Sequence, residues 1–452
     1  MVNMLKKGKH EDDFLYISCK GKVMSKQVTV ALAGLGSRGK DTYAKAAEVF
    51  PEKMKIVAIA DIDSAKVEEV AKLYNVPKET CFSSAEDMIA CDKLADVMFI
   101  TTQDRQHVKQ AIPAMEKGYH LLLEKPISPL LSECNDIVAA AKQYNRMVVV
   151  CHVLRYTPYY TKVKEVIDAG DIGDVVSIMA VENVGYYHQA HSFVRGNWAN
   201  AKKSSPMILQ KCCHDMDLYL WLSQKTCESV SSFGDTYLFK EEMAPKGSAM
   251  RCLSGCKVRE TCPFDAEKIY MDDPKIGIRN GHTTWPIDVL ALHPSEETIM
   301  KAIEEGPYGA CVYHCDNNVV DHQIVNLNMT DHTTISLTMC GMTSTNSRYC
   351  KIMGTKGEMI ADMGENTIRI LPFGKPETVI DVSKLADDFS GHGGGDIRLV
   401  EEFLDVVSGE KEPSDKITSL AHSMESHYVA LAAEESRLQG GEVIKLDAFR
   451  KK

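Results

Sequence analysis

Residues 28–39 read VTVALAGLGSRG, an apolar run of six residues followed by three glycines in the spacing GxGxxG. The aliphatic run is typical of a buried strand, and the glycines predict a tight turn into a helix. In such a turn the first glycine permits the bend, the second lets a pyrophosphate approach the backbone, and the third lets helix and strand pack. The residues predicted to contact a dinucleotide here are Gly34, Gly36, Ser37, Arg38 and Gly39.

A carboxylate follows the next apolar run. Residues 56–60 (IVAIA) lead directly into Asp61, 22 positions past Gly39. A carboxylate at this place can accept hydrogen bonds from the diol of a ribose. A 2′-phosphate would meet the same negative charge, so Asp61 favours NAD over NADP, although Arg38 would soften that preference by neutralising charge.

The composition limits the class of protein. The 452 residues are too many for one ordinary core, which predicts two domains, and 44% hydrophobic with 25% charged residues is typical of a soluble globular protein. A formal net charge of −11 argues against a nucleic-acid or anionic-membrane surface. No apolar run approaches the length of a membrane span.

The first 27 residues mix Lys, Asp, Glu and His without a sustained apolar stretch, so they do not form a secretory signal. We expect residues 1–27 to be a flexible leader, with Met24 as an alternative start of translation. The 15 cysteines are spread along the chain rather than concentrated as in a small secreted scaffold. Reduced thiols and a cytoplasmic location are therefore expected.

Two domains follow from the periodicity. Residues 28–150 alternate short apolar runs with helix-length amphipathic stretches, which predicts an α/β cofactor domain with a parallel sheet. Residues 151–440 predict a second, α+β domain with antiparallel alternation, interrupted by an irregular, cysteine-containing insertion at about 240–322. The predicted strands are 28–33, 56–60, 96–101, 119–123, 147–151, 174–184, 226–238, 323–329, 333–341, 349–353 and 358–362. The predicted helices include 158–169, 396–408 and 416–437.

Polar residues stand where two of the predicted strands end. Thr101, Thr102 and Gln103 follow one strand, and Glu124-Lys125-Pro126 follows the next. The carboxyl ends of parallel strands face the ligand crevice of an open α/β sheet. We therefore expect these residues to line the cofactor crevice, although a surface ion pair is the alternative interpretation of Glu124 and Lys125.

Several motifs together resemble the glucose-fructose oxidoreductase / inositol dehydrogenase / rhizopine-catabolism (Gfo/Idh/MocA) family. Their order and spacing agree with that family from about residue 28 to 440, outside the insertion. The motifs are the glycine turn with Asp61, Thr101-Thr102 followed by His107, Gly118-Tyr119-His120, Glu124-Lys125-Pro126, Arg155-Tyr156-Thr157-Pro158, Asp171-Ile172-Gly173, Cys213-His214-Asp215-Met216-Asp217 and Met353-Gly354-Thr355-Lys356-Gly357.

The resemblance implies a Rossmann domain followed by a large, open-faced and mainly antiparallel sheet, with substrate held between that sheet and the nicotinamide. It implies that Lys125 hydrogen-bonds the reacting carbinol oxygen, that Glu124 holds the cofactor or the lysine, and that His214 is the proton acceptor or its close partner. It also implies cofactor contacts from His107 and Arg155. An open sheet of this kind usually finds a partner, so a homodimer or homotetramer is expected.

One position departs from the family. Members with this helix usually place an aspartate four residues before the histidine, where this chain has Gln210. A glutamine cannot orient a base as a carboxylate does, though it can hydrogen-bond a hydroxyl. Lys211, three residues before His214, shares its helical face and is predicted to present a second catalytic cation; a solvated helix residue is the alternative.

The candidate substrate contacts are polar and aromatic. An aromatic platform with adjacent donors suits a pyranose or cyclitol ring, whose CH face stacks while its hydroxyls need partners; an ordinary surface loop is the alternative interpretation. A second loop, His392 with three glycines and Asp396, could reach the cleft, with Asp396 interpreted as a helix N-cap. The predicted substrate-binding residues are Tyr156, Asn183, His188, His191, Arg195, Asn197, Trp198, Gln210 and His214.

The insertion carries a cysteine cluster. Cys252, Cys256 and Cys262 have the spacing Cx3Cx5C, and Cys311, His314 or Cys315 could supply a fourth ligand. Such a set predicts a structural zinc site, while three packed, reduced thiols are the alternative and an iron–sulfur site lacks a standard spacing. Cys212 and Cys213 are interpreted as packing residues, since hydride chemistry needs no nucleophile.

These features predict an NAD(H)-dependent oxidoreductase acting on a secondary hydroxyl of a sugar, sugar derivative or inositol. An imidazole that titrates near neutrality suits removal of the hydroxyl proton, and an ammonium favours alkoxide character. Two alternatives remain open at this point. One is an NAD-dependent glycosidase working by oxidation, elimination, hydration and reduction, and the other is a non-catalytic NAD-binding sensor.

Overall fold

A six-stranded parallel sheet forms the core of the first domain in this computed structural model, which describes residues 27–452. The predicted leader, apart from Gln27, and Met24 lie outside the described residues. The strands are β1 (Val28–Ala33), β2 (Met54–Ala60), β3 (Cys81–Phe82), β4 (Val97–Ile100), β5 (His120–Leu123) and β6 (Val148–Val150). The helices between them are α1 (Ala46–Val49), α2 (Ser64–Tyr74), α3 (Ala85–Ala90), α4 (His107–Glu116) and α5 (Leu131–Tyr144).

The strand order fixes where a ligand crevice lies. The sheet runs β3-β2-β1-β4-β5-β6, so the chain changes direction across the sheet between β1 and β4. In doubly wound sheets the crevice opens at this switch point, beyond the carboxyl ends of the strands. The glycine turn follows β1 and the Thr101 segment follows β4, so both border this crevice. The predicted Rossmann fold is confirmed.

The second domain is built on a nine-stranded sheet. Its order is β14-β13-β12-β11-β7-β10-β9-β8-β15, and β7 pairs with β10 in parallel while the other pairs are antiparallel. The mainly antiparallel sheet is therefore confirmed. Its strands are β7 (Val175–Gly185), β8 (Cys227–Asp235), β9 (His322–Met329), β10 (Thr334–Thr343), β11 (Ser347–Gly354), β12 (Gly357–Asp362), β13 (Thr367–Pro372), β14 (Thr378–Asp381) and β15 (Ile444–Lys445).

Helices and turns cover the sheets. Residues Gln189–Arg195, which directly follow the short helix Tyr186–His188, form a wider helical turn. The turn Ser390–Gly393 is interrupted by non-helical backbone at Gly391 and His392. The helices are α6 (Pro158–Asp168), α7 (Tyr186–His188), α8 (Met207–Gln210), α9 (Cys213–Ser223), α10 (Ile287–Leu290), α11 (Glu296–Glu305), α12 (Ser390–Gly393), α13 (Gly395–Ser408), α14 (Leu420–Leu438) and α15 (Leu446–Phe449).

The end of the chain returns to the cofactor domain. Leu399 and Phe403 of α13 share a buried cluster with Val30 and Phe99, which face one side of the parallel sheet. Thr418 pairs with Val150 at the edge strand β6, where the Val150 N–H donates to the Thr418 carbonyl at 2.9 Å. Residues 416–419 are thus not helical, and α14 begins at Leu420, later than the sequence predicts. The turn that precedes α13 is thereby placed beside the cofactor domain.

The insertion at about 240–322 has its own small core. Tyr270, Ile299 and Val312 are buried together with Ala190 and Val194 of the turn before the insertion. Apart from α11, its described helices are single turns or little longer. The irregular character predicted for this segment follows from a core assembled by scattered side chains rather than by periodic elements.

Candidate active site

The three glycines of the first turn have different surroundings. A Cβ on Gly39 would overlap the Gly34 carbonyl oxygen and lie 2.7 Å from Thr101 Oγ1, whereas a Cβ on Gly36 would have no heavy atom within 4 Å. Thr101 Oγ1 already donates to the carbonyls of Ala33 and Gly34 at 2.9 and 2.7 Å. Gly39 is thus needed for packing, and Gly36 leaves the open side of the turn free for a ligand to reach the backbone.

This contrast gives a test with two matched variants. Gly39→Ala is expected to lose about 1–3 kcal/mol of stability because its methyl group has no room. Gly36→Ala is expected to keep the wild-type thermal midpoint while the Kd for NAD rises about tenfold or more. The added methyl group would occupy the open side of the turn, where a pyrophosphate would approach the backbone. Thermal denaturation and calorimetric NAD titration check both. Equal NAD affinity in Gly36→Ala and wild type would contradict the assignment of this turn as the pyrophosphate site.

Asp61 lies at the end of β2, beside the glycine turn. Its Oδ2 accepts the Leu35 N–H at 2.5 Å, and its Oδ1 accepts the Asp63 N–H at 2.9 Å. The next residue, Ile62, leaves 92% of its surface exposed. A carboxylate and an apolar side chain therefore stand together at the mouth of the crevice, where the sequence pointed only to the carboxylate.

Arg38 is held by carboxylates from two distant segments. Its Nε donates to Glu124 Oε1 at 2.7 Å and its Nη2 to Asp396 Oδ1 at 2.8 Å. The Tyr43 hydroxyl also donates to Glu124 Oε1 at 2.6 Å. Although burial opposes ionisation, Arg38 and then Lys125 hold the pKa of Glu124 below its ordinary value. The Arg38 guanidinium thus links the glycine turn to β5 and to α13.

Lys125 follows β5 at the crevice. Its Nζ donates to the main-chain oxygen of Gln210 at 3.0 Å, and its own N–H donates to Glu124 Oε2 at 2.9 Å. The ring of His107 fixes the same strand end, because its two nitrogens contact the carbonyl oxygens of Pro126 at 2.7 Å and Thr102 at 3.0 Å. His107 is buried and positions these two segments.

His214 faces Lys125 from the second domain. It lies in the first turn of α9, is 4% exposed, and neither ring nitrogen has a hydrogen-bond partner within residues 27–452. Burial, followed by the nearby charge of Lys125, holds its pKa well below the ordinary value. A neutral buried imidazole without partners is expected where a ligand completes the hydrogen bonding.

Four imidazoles form a row through the site. Ring centroids of His392 and His214 are 5.9 Å apart, those of His214 and His152 are 5.6 Å apart, and those of His152 and His427 are 5.7 Å apart. His427 anchors the row, since its Nε2 accepts the N–H of Ile127 at 2.8 Å. Sequence reasoning missed His152, although it follows strand β6 and the rule applied to Lys125 would have found it.

A balanced charge network lies behind the site. Arg348 pairs with Asp215 at 2.9 Å and with Glu182 at 2.9 Å, and Lys211 pairs with Glu182 at 3.4 Å. Burial raises the pKa of Glu182 and lowers the pKa of Lys211. The Lys211 side chain is mostly buried and is therefore not the solvated helix residue of the alternative interpretation. Sequence reasoning gave no role to Glu182, Arg348 or Asp215.

Some predicted cofactor and substrate residues lie in structural contacts instead. Arg155 makes a bidentate ion pair with Asp217, at 2.7 and 2.6 Å, and is buried. The hydroxyl of the buried Tyr156 accepts the N–H of Thr418 at 3.3 Å. Asn183 donates to Ser347 Oγ at 2.9 Å, and it lies next to Glu182 on β7, so the two side chains face opposite sides of the sheet.

Arg195 and His191 attach the insertion to the second domain. Arg195 Nε donates to the Ala310 carbonyl at 2.8 Å, and the His191 ring stacks on Tyr308 with centroids 4.7 Å apart. Trp198 Nε1 donates to Asp104 Oδ1 at 3.3 Å. Ser37 and Thr102 are half-buried, and Asn197 and Gln103 are exposed. The geometry therefore gathers only part of the predicted substrate set around the crevice.

An aromatic residue of the insertion reaches the site. The Trp285 ring lies 4.7 Å from the ring of His188, centroid to centroid, in an edge-on arrangement. His188 Nδ1 contacts Asn346 Oδ1 at 2.9 Å. Burial, then the charges of Lys211 and Lys125, hold the pKa of His188 well below its ordinary value. Trp285 thus contacts the imidazole that lies near the two lysines, a position that its irregular sequence context did not predict.

The zinc prediction is not supported. Cys252, Cys256, Cys262 and Cys311 line one cavity of the insertion, yet residues 27–452 contain no group of three or more His, Cys, Asp or Glu side chains arranged to hold a metal. The Arg195 guanidinium lies at this cavity and donates to Cys252 Sγ at 3.6 Å. A fixed cation there disfavours a second one, and the described cysteines are free thiols.

The loop before α13 also differs from expectation. The N-cap of α13 is Gly394, so Asp396 is not the cap that the sequence suggested. Its carboxylate instead binds the Arg38 guanidinium and the ring of His392, whose Nδ1 lies 3.2 Å from Asp396 Oδ1. The reason is the return of α13 to the cofactor domain, which brings the carboxylate to Arg38.

Comparison with known proteins agrees with this architecture. The sequence profile described as "Oxidoreductase family, NAD-binding Rossmann fold" (GFO_IDH_MocA) matches residues 28–152, and the profile of its C-terminal alpha/beta domain matches residues 164–446. The chain belongs to the Gfo/Idh/MocA oxidoreductase family. Family membership makes it an oxidoreductase with an NAD-binding Rossmann fold.

The relatives within the Gfo/Idh/MocA family are distant. The putative oxidoreductase YteT of Bacillus subtilis is 23% identical over 393 residues, covering 83% of this chain and 88% of YteT. Inositol 2-dehydrogenase of Salmonella typhimurium is 23% identical over 203 residues, covering 45% of this chain and 56% of that enzyme. The WlbA dehydrogenase of Bordetella pertussis, solved with NADH and UDP-GlcNAcA, shares the fold at a TM-score of 0.66 and 16% identity, covering 94% and 99% of the two chains.

Within residues 27–452, no helix combines the length and hydropathy that crossing a bilayer requires.

Proposed function

We propose that this protein is an NAD(H)-dependent oxidoreductase that transfers a hydride between the nicotinamide and a secondary hydroxyl of a sugar, sugar derivative or cyclitol. The observation that carries the proposal is that the strand-end ammonium of Lys125 lies near the buried imidazole of His214, whose ring nitrogens have no hydrogen-bond partner within residues 27–452. The inositol 2-dehydrogenases among the relatives support the substrate class.

The residues of the first crevice fit a dinucleotide. Gly36 leaves open space above the backbone of the turn, and the Asp61 carboxylate stands where it can accept hydrogen bonds from a ribose diol. Ile62, exposed beside it, offers apolar surface to an adenine ring. When bound, NAD would supply the hydride acceptor, and Lys125 would stand on the nicotinamide side of the crevice.

Lys125 and His214 then have separate tasks. Oxidation of a secondary alcohol requires that the hydroxyl oxygen lose its proton while the carbon loses a hydride. The Lys125 ammonium stabilises alkoxide character on that oxygen. His214 is neutral near pH 7, because burial and Lys125 hold its pKa low, so its ring can hydrogen-bond the same oxygen without repelling Lys125.

The side chains around His188 suit a ring of carbons and hydroxyls. The Trp285 ring provides an apolar surface for the CH face of a pyranose or cyclitol, while His188 and Lys211 offer directed polar contacts. Because Trp285 belongs to the insertion, we assign part of the substrate preference of this protein to that segment.

A substrate screen tests the proposed function. The full-length protein is incubated with NAD and a panel of sugars, sugar derivatives and cyclitols, and NADH is followed at its absorbance maximum. Stoichiometric NADH from at least one panel member is the expected result. Aryl glycosides are run in parallel, since aglycone release without net NADH would instead assign the redox glycosidase reaction. No turnover with either panel would contradict the proposal.

The role of Asp61 predicts a change of cofactor preference. In Asp61→Ser the ratio of kcat/KM with NAD to kcat/KM with NADP is expected to fall about tenfold or more, because the repulsion of a 2′-phosphate disappears. Steady-state kinetics with both cofactors measure this ratio. Asp63→Ser is the matched control, since Asp63 caps α2 through Ala65 N at 3.0 Å and serine caps equally well. An unchanged ratio in Asp61→Ser would count against the ribose assignment.

A further inference from the structure

His392 and Asp396 form an imidazole–carboxylate pair at the entrance of the site. His392 Nδ1 lies 3.2 Å from both carboxylate oxygens of Asp396, and the His392 main-chain N–H donates to Asp396 Oδ2 at 3.1 Å. Arg38 Nη1, a donor, lies 3.3 Å from the same nitrogen, but a carboxylate only accepts, and its two contacts at 3.2 Å favour a proton on Nδ1 that is donated to Asp396. The lone pair of His392 Nε2 is then left for a ligand or solvent, and 38% of the side chain is exposed.

The backbone around His392 is shaped for this contact. Gly391, Gly393 and Gly394 have φ values of +61°, +60° and +82°, which side chains other than glycine rarely adopt. A Cβ on Gly391 would overlap Asp396 Oδ2. Position 391 must therefore be a glycine for the Asp396 carboxylate to reach His392. This requirement indicates that the loop conformation is specific for the contact.

His214 has no such support for a positive charge. Within residues 27–452 its ring contacts no carboxylate, and the charges that lower its pKa after burial are Lys125, His152, His392 and Arg348, which are all cationic when ionised. Its place in the first turn of α9 adds the positive end of a helix dipole. A proton left on His214 would therefore stand among like charges and beside the positive nicotinamide of NAD.

The charges around His392 differ. Burial lowers the pKa of His392 below its ordinary value and Arg38 and Lys211 add to that lowering, while Asp396 opposes it. Although burial opposes ionisation, Arg38 and His392 hold the pKa of Asp396 far below its ordinary value, so this carboxylate is ionised. Among the residues that the structure describes, His392 has a counter-ion for an imidazolium and His214 has none.

The spacing of the two rings leaves room for the reacting group. Centroids 5.9 Å apart are too distant for a direct imidazole–imidazole hydrogen bond, but one oxygen atom can bridge the ring nitrogens. A substrate hydroxyl placed there would receive a hydrogen bond from the His214 N–H and donate its own proton towards His392.

We infer that His392, oriented by Asp396, is the proton acceptor of the reaction. The Asp396 carboxylate supports His392, whereas Gln210, at the position where the family usually has an aspartate, gives His214 no such support. The inference rests on the proposed function. In the oxidation, the substrate O–H bond breaks and its proton passes to His392 Nε2. The C–H electron pair leaves as hydride to the bound NAD, and a C=O bond forms. His214 holds the oxygen but stays neutral, and solvent removes the proton from the exposed His392.

Titration of the cofactor-free protein gives the first test. Histidine ¹⁵N resonances are followed by NMR over pH, with His392→Ala and His214→Ala used to assign the two signals. We expect His392 to be protonated on Nδ1 when neutral, to titrate at higher pH than His214, and to shift to lower pH in Asp396→Asn because the counter-ion is lost. A higher pKa for His214 than for His392 would overturn the inference.

Kinetics give the second test, with a substrate on which the wild type turns over. His392→Ala is expected to lower kcat about a hundredfold with NADH affinity retained, and added imidazole should restore part of the rate. In Asp396→Asn the acidic limb of the kcat profile should move to lower pH. His422→Ala, which removes an exposed histidine at the start of α14, is the control and should behave as wild type.

The outcomes separate this inference from the proposed function. Imidazole rescue of His214→Ala but not of His392→Ala, or an unmoved acidic limb in Asp396→Asn, would overturn the role of His392 while the oxidoreductase function stands. Lack of turnover by the wild type with every panel substrate would instead count against the proposed function, and the NMR titration would still decide which imidazole is the stronger base.

Discussion

Lys125→Met is expected to lower kcat by about 10³- to 10⁴-fold, because the variant loses the only charge that we assign to the alkoxide oxygen. Methionine keeps the length of the side chain and removes the ammonium that donates to the Gln210 carbonyl. The cofactor should bind as well as in the wild type, since a cation near the positive nicotinamide is removed rather than added. Steady-state kinetics and NAD titration on the same preparation measure both quantities.

The matched control for this variant is Lys109→Met, an exposed lysine on α4. It carries the same chemical change outside the crevice and should retain wild-type kcat. A Lys125→Met protein that keeps more than about a tenth of the wild-type kcat would contradict the assigned role. Loss of turnover with NAD binding intact would also exclude a non-catalytic sensor. In that case the wild type converts substrate, and the conversion depends on Lys125.

Arg155→Met is expected to cost about 3–5 kcal/mol of stability, the usual result of leaving one partner of a buried ion pair uncompensated. The guanidinium meets both oxygens of Asp217 at 2.7 and 2.6 Å, and it lies 5.5 Å from the centre of the Trp221 ring. Removing it leaves the Asp217 carboxylate of α9 buried without its ion-pair partner. Thermal and urea denaturation measure the loss.

The double variant Arg155→Met/Asp217→Leu separates the two explanations of Arg155. If the pair is structural, replacing both partners should recover most of the lost stability, since no buried charge then remains unpaired. The NAD affinity of the folded single variant should equal that of the wild type. A raised Kd for NAD with unchanged stability would instead support the cofactor contact that the family resemblance implies.

Sequence reasoning placed the strands of the parallel sheet, and the residues that follow them, well. Each strand of the parallel sheet except β3 coincides with a predicted strand to within two residues, and the carboxyl ends carry Asp61, Thr101 and Lys125 as expected. The strands that the prediction missed, β3, β13, β14 and β15, lie at or next to the sheet edges, and three of the four have two to four residues. Short edge strands bury too little to impose a hydrophobic period.

The partners of the site residues were harder to predict. Arg38 is 358 residues from Asp396, and Arg348 is 133 residues from Asp215, so no local spacing relates them. Arg195 resembled a substrate ligand in sequence because it stands among polar and aromatic residues. Its contacts with Ala310 and Phe264 form only once the insertion has folded back onto it.

The residues of VTVALAGLGSRG and the glutamate, lysine and proline after β5 determined by themselves that this protein has a dinucleotide turn and a strand-end lysine. Such local patterns can be recognised in the sequence because the backbone conformation and burial that they reflect depend on residues adjacent in the chain. Only the tertiary structure decided that α13 returns to the cofactor domain, that Asp396 supports His392 rather than capping a helix, and that Arg195 stands at the thiol cavity where zinc was predicted. The physical reason is that electrostatic and hydrogen-bond partners are chosen by proximity in space, which the chain acquires only when both sheets have formed.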